Sequence, residues 1–260
     1  MAPVHVGRQA CAYEPLLDAA WPSLERHDTG EWVLRAAAGV TQRANSVWPR
    51  NMAEEPMDTL REAVQWYRQR RLPLIFQVTD TDANSGLNVF LDEQGFTRQS
   101  ETLILSRPAG TEPLPPASAK VEFLDRPDRE WLALWWSVDG RGGAAELETA
   151  RAILTGCPSL YALVRDDDGV PAAVGRLALV EGTGGLYCMA TSASHRRRGY
   201  ASAVLQALLS KGAARGLDDF WLLVTAANQG ARQLYSGAGF QESGRYLYRQ
   251  QRPRRASSGC

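Results

Sequence analysis

Six consecutive residues, Arg196-Arg-Arg-Gly-Tyr-Ala201, separate a strand-like apolar run from a long stretch with helical apolar spacing in this 260-residue chain. Their types suit the binding of an anion. Gly199 permits a tight turn and a close backbone approach. The N–H groups that open the following helix lack intrahelical acceptors, and the helix dipole favours negative charge there. Three arginines add positive charge beside them. A pyrophosphate is the guest that suits such a cradle. A solvated basic helix start would show the same six residues, so the weight of the pattern comes from its surroundings. Other chemistry is sparse. Cys11, Cys157, Cys188 and Cys260 are far apart, as are His5, His27 and His195. No pair has metal-ligand spacing, so no zinc site is expected, and a disulfide framework is improper to a chain of this length.

The elements around the cradle are readable. Lys120–Leu124 reads as a short strand, and Asp128–Val138 as a helix with Asp128 as its N-cap. Ala144–Leu154 reads as a second helix. Ser159–Arg165, Val170–Val180 and Leu186–Thr191 form a meander of three strands, joined by turns at Asp166-Asp167-Asp168-Gly169 and Gly182–Gly185. The cradle follows, then a helix over Ala201–Arg215, closed by Gly216. Phe220–Thr225 reads as a buried strand, Gln229–Gly237 as a helix and Tyr246–Arg249 as a last strand. The order predicts an α/β domain with a mixed sheet rather than a doubly wound one.

Prolines cluster between Arg107 and Ser118, which predicts a linker over 108–118 between a region 1–107 and a region 119–260. The first region carries an echo of the second. The strand Pro73–Thr79 (PLIFQVT) resembles FWLLVT at 220–225. The run Leu87–Phe96 matches Arg232–Phe240 as a short helix ending in Gly-Phe ahead of a strand, here Glu101–Ser106. Thr59–Arg71 is an amphipathic helix, and Trp32–Val40 and Ala44–Trp48 read as two strands. An internal duplication with one degraded copy is expected, although helix-Gly-Phe-strand also arises by coincidence. Trp32, Arg35, Arg43, Asn45, Ser46 and Trp48 would either help to close a cleft or form a solvated sheet face.

Composition narrows the classes. The formal net charge is zero, with 29 basic and 29 acidic residues, and 44% of residues are hydrophobic. Residues 1–108 carry a net charge of −3 and the remainder +3. No basic excess marks a nucleic-acid binder, and no aromatic-basic interleaving accompanies the arginines. The N-terminus lacks the basic start and apolar core of a signal peptide, and no apolar run reaches the roughly 20 residues that cross a bilayer. The expectation is a cytoplasmic chain, monomer or homodimer, with no nucleic-acid or membrane partner. Arg245–Cys260, with Arg249, Arg252, Arg254 and Arg255, reads as a disordered basic tail.

Arg196, Gly199 and Ala201 stand at the positions of the Arg/Gln-x-x-Gly-x-Gly/Ala signature of the GNAT acetyltransferase superfamily. Asn228, Ala231, Leu234, Tyr235, Gly239 and Phe240 follow its later Asn-x-x-Ala-x-x-Leu-Tyr-x-x-x-Gly-Phe pattern. The resemblance covers most of 119–250. It implies two GNAT-like acyl-CoA N-acyltransferase domains in tandem, the first degenerate. No signature precedes the helix at 59–71, where Pro49–Pro56 is acidic and proline-bearing, so no pyrophosphate site is expected there. The resemblance also implies an acetyl-CoA-dependent N-acetyltransferase acting on a primary amine, expected to be a small-molecule acceptor. A protein or peptide acceptor, or a non-catalytic acyl-CoA-binding protein, are the alternatives.

Carried over by position, Arg196, Arg197, Arg198, Gly199, Tyr200, Ala201 and Ser202 would hold the pyrophosphate. Met189, Ala190 and Thr191 would pair with pantetheine through their main chain, and Asn228 would contact its other side. Tyr235 would protonate the departing thiolate; its other reading is a packed helix tyrosine. Many members place a carboxylate on the strand before the signature, and Leu186–Thr191 has none. Glu181, Glu146, Glu148 and Asp139 are open candidates for the base, with Glu181 carried forward. Cys188 reads as a small buried residue rather than a nucleophile. The acceptor pocket would draw on Trp136, Asp139 and Arg141 at the end of the first helix, whose Trp131, Leu134, Trp135 and Val138 form a core stripe.

Overall fold

A computed structural model describes residues 10–111 and 119–251. After a 3-10 turn at Ala10–Tyr13 come α1 (Glu14–Ala20), β1 (Glu25–Asp28), β2 (Trp32–Ala36) and β3 (Trp48–Pro49). Then follow α2 (Pro56–Gln69), β4 (Ile75–Thr79), α3 (Ser85–Glu93) and β5 (Phe96–Pro108). The next elements are β6 (Val121–Leu124), α4 (Arg129–Asp139), α5 (Ala144–Thr155), β7 (Ser159–Arg165), β8 (Pro171–Val180) and β9 (Thr183–Thr191). The chain ends with α6 (Tyr200–Ala213), β10 (Asp219–Thr225), α7 (Gln229–Gly237) and β11 (Gln241–Gln251). The described residues pack as two units, 10–22 with 102–111 and 119–244, and 23–101 with 245–251. The packing division therefore departs from the 1–107 and 119–260 partition: α1 belongs with the later half of the chain, and the end of β11 with the earlier half.

The first unit is built on a mixed sheet. The Thr102–Pro108 part of β5 runs antiparallel to β10, β10 runs parallel to β9, and β8, β7 and β6 continue antiparallel. Strand periodicity sorts the side chains onto two faces. On one, Leu160, Ala162, Ala173, Leu177, Phe220 and Leu222 pack with Val204, Leu205, Leu208 and Leu209 of α6 and with Tyr235 and Phe240 around α7. The other is aromatic: Trp131 of α4 meets Tyr161 edge-on at 5.3 Å and donates its indole N–H to Ala162 O, while Tyr187 sits between Trp21 and Trp221. Arg176 is fully buried on this face and donates to Ser159 Oγ and Ala20 O.

α6 approaches the sheet closely because Gly175 of β8 has no side chain. A Cβ there would lie 2.6 Å from both Met189 Sδ and Val204 Cγ1. Gly175→Val should therefore cost about 1–3 kcal/mol by overpacking. A thermal melt should show Tm lowered by several degrees, and an unchanged Tm would mean that α6 can withdraw freely.

The second unit has an antiparallel sheet of β1, β2 and β3, and a ladder between β4 and the Tyr246–Gln250 part of β11. Its core gathers Trp32, Leu34, Leu60, Tyr67, Phe76, Leu87, Leu91 and Phe96, with Trp32 edge-on to Phe76 at 4.9 Å. Three expectations are corrected here. The strand over Ala44–Trp48 shrinks to Trp48–Pro49, because 37–47 is a loop stitched by Asn45: its Oδ1 accepts from Ala37 and Gly39 N–H, and its amide donates to Val40 O and Thr41 O. Arg35, Asn45 and Ser46 are neither a solvated face nor an open surface. They are buried, with Arg35 donating to Ser46 O, Ser46 Oγ and Gln77 Oε1. Finally, Arg245–Gln251 is strand and not disordered tail, in keeping with the strand expected over Tyr246–Arg249. Arg249 lies in β11, 0% exposed, and donates to Asn88 Oδ1, Asp92 Oδ1 and Phe96 O. Arg252, Arg254, Arg255 and the proline cluster at 112–118 lie outside the described residues.

Candidate active site

β9 and β10 are parallel neighbours only over Thr183–Leu186 and Asp219–Leu222. Beyond Leu186 they separate: Ala190 and Thr191 pair with β8 on one side, Met189 falls in a break of that ladder, and none of the three is in register with β10. A bulge opposite Gly175 sets this up: the register shifts between Val174 and Arg176, and Cys188 takes φ +54°. A bulge bends and twists its strand, which turns β9 away from β10. The result is a slot whose wall is strand backbone with main-chain hydrogen-bonding capacity. Both strands point the same way into it, and in an open α/β sheet the carboxyl ends of parallel strands are where ligands bind.

The segment Ser192–Gly199 closes that end. A short 3-10 turn, Ala193–His195, leads to Arg196 in extended conformation. Arg197 and Gly199 then adopt φ +64° and +85°, and α6 starts at Tyr200. The first intrahelical bond runs from Ala203 N–H to Gly199 O. The Tyr200, Ala201 and Ser202 amides therefore belong to the helical turn that has no acceptor of its own. Arg196, Arg197 and Arg198 are exposed, and the Arg198 guanidinium lies 5.5 Å from the Tyr200 ring centroid. Exposed cations, free helix-start amides and an adjoining backbone slot fit a pyrophosphate joined to an amide-bearing chain.

α7 leaves β10 at the same edge. Asn228 caps it, its Oδ1 accepting from Ala231 N–H, so this side chain serves the helix start as well as facing solvent. Tyr235 sits two turns on. It is 7% exposed, its ring packs edge-on to Phe240 at 6.1 Å, and burial pushes its phenol up to about 12. That phenol holds its proton across the whole physiological range.

The carboxylates proposed as the base are not gathered here. Glu181 lies in the β8–β9 turn, at the opposite end of the nine-residue β9 from Thr191. A strand of that length spans roughly 26 Å, which sets Glu181 far from Thr191. Glu146 closes the α5 N-terminus, its Oε2 accepting from Gly143 N–H, and hydrogen bonds from its own backbone N–H and from that of Gly143 hold its carboxyl below the usual range. Glu148 pairs with Arg151. Asp139 and Arg141 are exposed at the end of α4, where the half-buried Trp136 ring lies so close over Gly140 that a Cβ there would meet it at 2.2 Å. Cys188 is a half-buried cysteine on the slot strand.

One pair escaped the sequence reading. His195 is 8% exposed, with Nε2 2.8 Å from Asp166 Oδ2 in the β7–β8 turn and Nδ1 2.5 Å from Ser192 Oγ. In sequence Asp166 reads only as a turn former, and the separation of 29 positions hides the contact.

A family model described as "Probable histone acetyltransferase Rv0428c C-terminal" matches residues 12–249. "Uncharacterized N-acetyltransferase YobR" of Bacillus subtilis (strain 168) is 25% identical over 242 residues, covering 91% of this chain and 96% of that protein. "Mycothiol acetyltransferase" of Clavibacter michiganensis subsp. michiganensis (strain NCPPB 382) is 32% identical over 140 residues, covering 52% of this chain and 46% of its own length. A solved tandem GNAT protein from the clavulanic acid biosynthesis pathway shares the fold, with TM-score 0.67 and 13% identity over 95% of this chain and 91% of that one. A family match spanning nearly every described residue, on a chain with this mixed sheet and this loop ahead of α6, makes the protein an N-acetyltransferase of the GNAT superfamily, in the family of the Rv0428c C-terminal region.

Proposed function

We propose that this chain transfers the acetyl group of acetyl-CoA to the primary amine of a small molecule by direct attack within a ternary complex. The observation that carries the reading is the continuity of the slot along Met189–Thr191 with the amides and arginines at the start of α6. Arg196–Ser202 would hold the pyrophosphate, and the free edge of β9 would pair with pantetheine. Bound there, acetyl-CoA supplies an activated acyl group and a thiolate leaving group. A neutral amine attacks the thioester carbonyl, the C–S bond breaks, and the sulfur takes the phenolic proton of Tyr235. The phenolate regains a proton from solvent. The amine's own proton leaves to water, since β9 carries no carboxylate from Leu186 to Thr191.

The zero net charge and the relative named a mycothiol acetyltransferase favour a small acceptor. The family description, which names a histone acetyltransferase, supports a protein acceptor as the second reading. Titration calorimetry should give one acetyl-CoA site per chain, and thiol release should then rise with some members of a panel of small amines. Absence of binding would sink the enzyme reading for this chain. Peptides outpacing every small amine would reverse the choice of acceptor.

A further inference from the structure

We infer that His195 and Asp166 are a positioning pair that pre-sets the anion loop before any ligand arrives; this rests on the acetyl-CoA reading of that loop. The loop is an awkward piece of backbone. Arg197 is a non-glycine residue at φ +64°, two residues before Gly199 at φ +85°. Left-handed conformations at non-glycine positions cost about 1 kcal/mol or more and persist only where neighbours enforce them. The exposed arginines beyond the loop root do not enforce them. His195, one residue before Arg196, is where the enforcement enters.

Its ring is held from three directions. Asp166 Oδ2 meets Nε2 at 2.8 Å, Ser192 Oγ and Ser194 Oγ meet Nδ1 at 2.5 and 3.1 Å, and the Tyr200 ring stands edge-on with its centroid 5.8 Å away. These partners belong to the β7–β8 turn, the exit of β9 and the first residue of α6. A carboxylate only accepts, so Nε2 carries a proton and Nδ1 faces the hydroxyls. Asp166 is itself fixed, because its Oδ1 accepts from Asp168 N–H at 3.1 Å and Val170 N–H at 2.8 Å. The His195 ring and the turn amides hold its carboxyl below the usual range, so it stays ionised. The pair thus ties the loop root to a hairpin whose geometry is already determined. A loop ordered in advance need not lose that freedom on binding, and its benefit falls on affinity rather than on the chemical step.

The consequence is a split that general damage would not produce. His195→Phe keeps a ring against Tyr200 but removes both polar ties. It should raise the Kd for acetyl-CoA about tenfold by calorimetry, on the scale of a lost charge-assisted hydrogen bond, while kcat at saturating acetyl-CoA stays within twofold. With S-acetyl-N-acetylcysteamine, a donor that lacks the pyrophosphate, kcat/KM should match wild type. Asp166→Asn keeps an acceptor for the turn amides and should weaken acetyl-CoA binding less. The double variant should bind no more weakly than His195→Phe, because the two act as one unit. Equal affinity of His195→Phe and wild type would overturn the inference, as would a parallel loss with the short donor. A wild-type protein that ignores acetyl-CoA would instead sink the reading of the site itself.

Discussion

Tyr235→Phe should lower kcat about a hundredfold or more at saturating acetyl-CoA while leaving the Kd for acetyl-CoA within twofold, as positioned proton donors contribute about 10²–10⁴. The variant is clean because the ring stays. Tyr235 packs against Phe240 within the α6–α7 core, and a phenylalanine fills the same volume, so Tm should hold. The phenol at about 12 looks too weak an acid for a thiolate whose free value is near 8.5. The same burial acts on both partners, since desolvation also raises the thiol, and the gap narrows inside the site. A hydrogen bond donated to the sulfur as charge develops supplies stabilisation even before the proton crosses. The sign of the pH dependence follows. The acid works in its protonated form, which persists to pH values approaching 12, so kcat should show no alkaline decline up to about pH 10. An unperturbed tyrosine would already be half ionised there. The falling limb should lie on the acid side, where the acceptor amine is protonated. A profile that drops between pH 8 and 10, or a fully active Tyr235→Phe, would remove Tyr235 as the acid.

The parts of the fold that sequence reveals are those whose cause is local. Gln229–Gly237 is a helix from end to end because Asn228 caps it and Gly239 can take φ +83° just beyond it. Asp128 likewise announces α4 by accepting from Trp131 N–H. The stretch 97–100 of β5 escapes the reading because its exposed positions carry Arg98 and Ser100, which read as a loop. The strand around Arg249 is legible, but the burial of Arg249 is not. Its surroundings in sequence are polar, but its partners Asn88 and Asp92 lie 161 and 157 residues away. The candidate site divides in the same way. The loop ahead of α6 is legible because glycine at a left-handed position before a helix is a local requirement. Glu181 is close to the slot in sequence and far from it in space, because a strand carries the chain away by its full length. The Asp166–His195 contact is the reverse case, made by the β7–β8 turn returning beside the exit of β9.

Gly199→Glu should abolish acetyl-CoA binding, weakening it at least a hundredfold, with the fold retained. The substitution acts at two levels that can be told apart. A side chain at φ +85° is strained by roughly 1–2 kcal/mol. A carboxylate beside the first turn of α6 offsets part of that, since acidic groups at helix starts are favourable. Tm should therefore fall by only a few degrees. Binding fares worse, because the new carboxylate occupies the positive end that a pyrophosphate needs and repels the ligand's own charge at short range. Gly199→Asn separates the two causes. Asparagine tolerates left-handed backbone and brings no charge, so calorimetry should find its affinity within a few fold of wild type. Equal losses in both variants would place the defect in the backbone turn rather than in electrostatics. Undiminished binding by Gly199→Glu would mean that the phosphate groups sit elsewhere and that the arginines at 196–198 are a solvated surface.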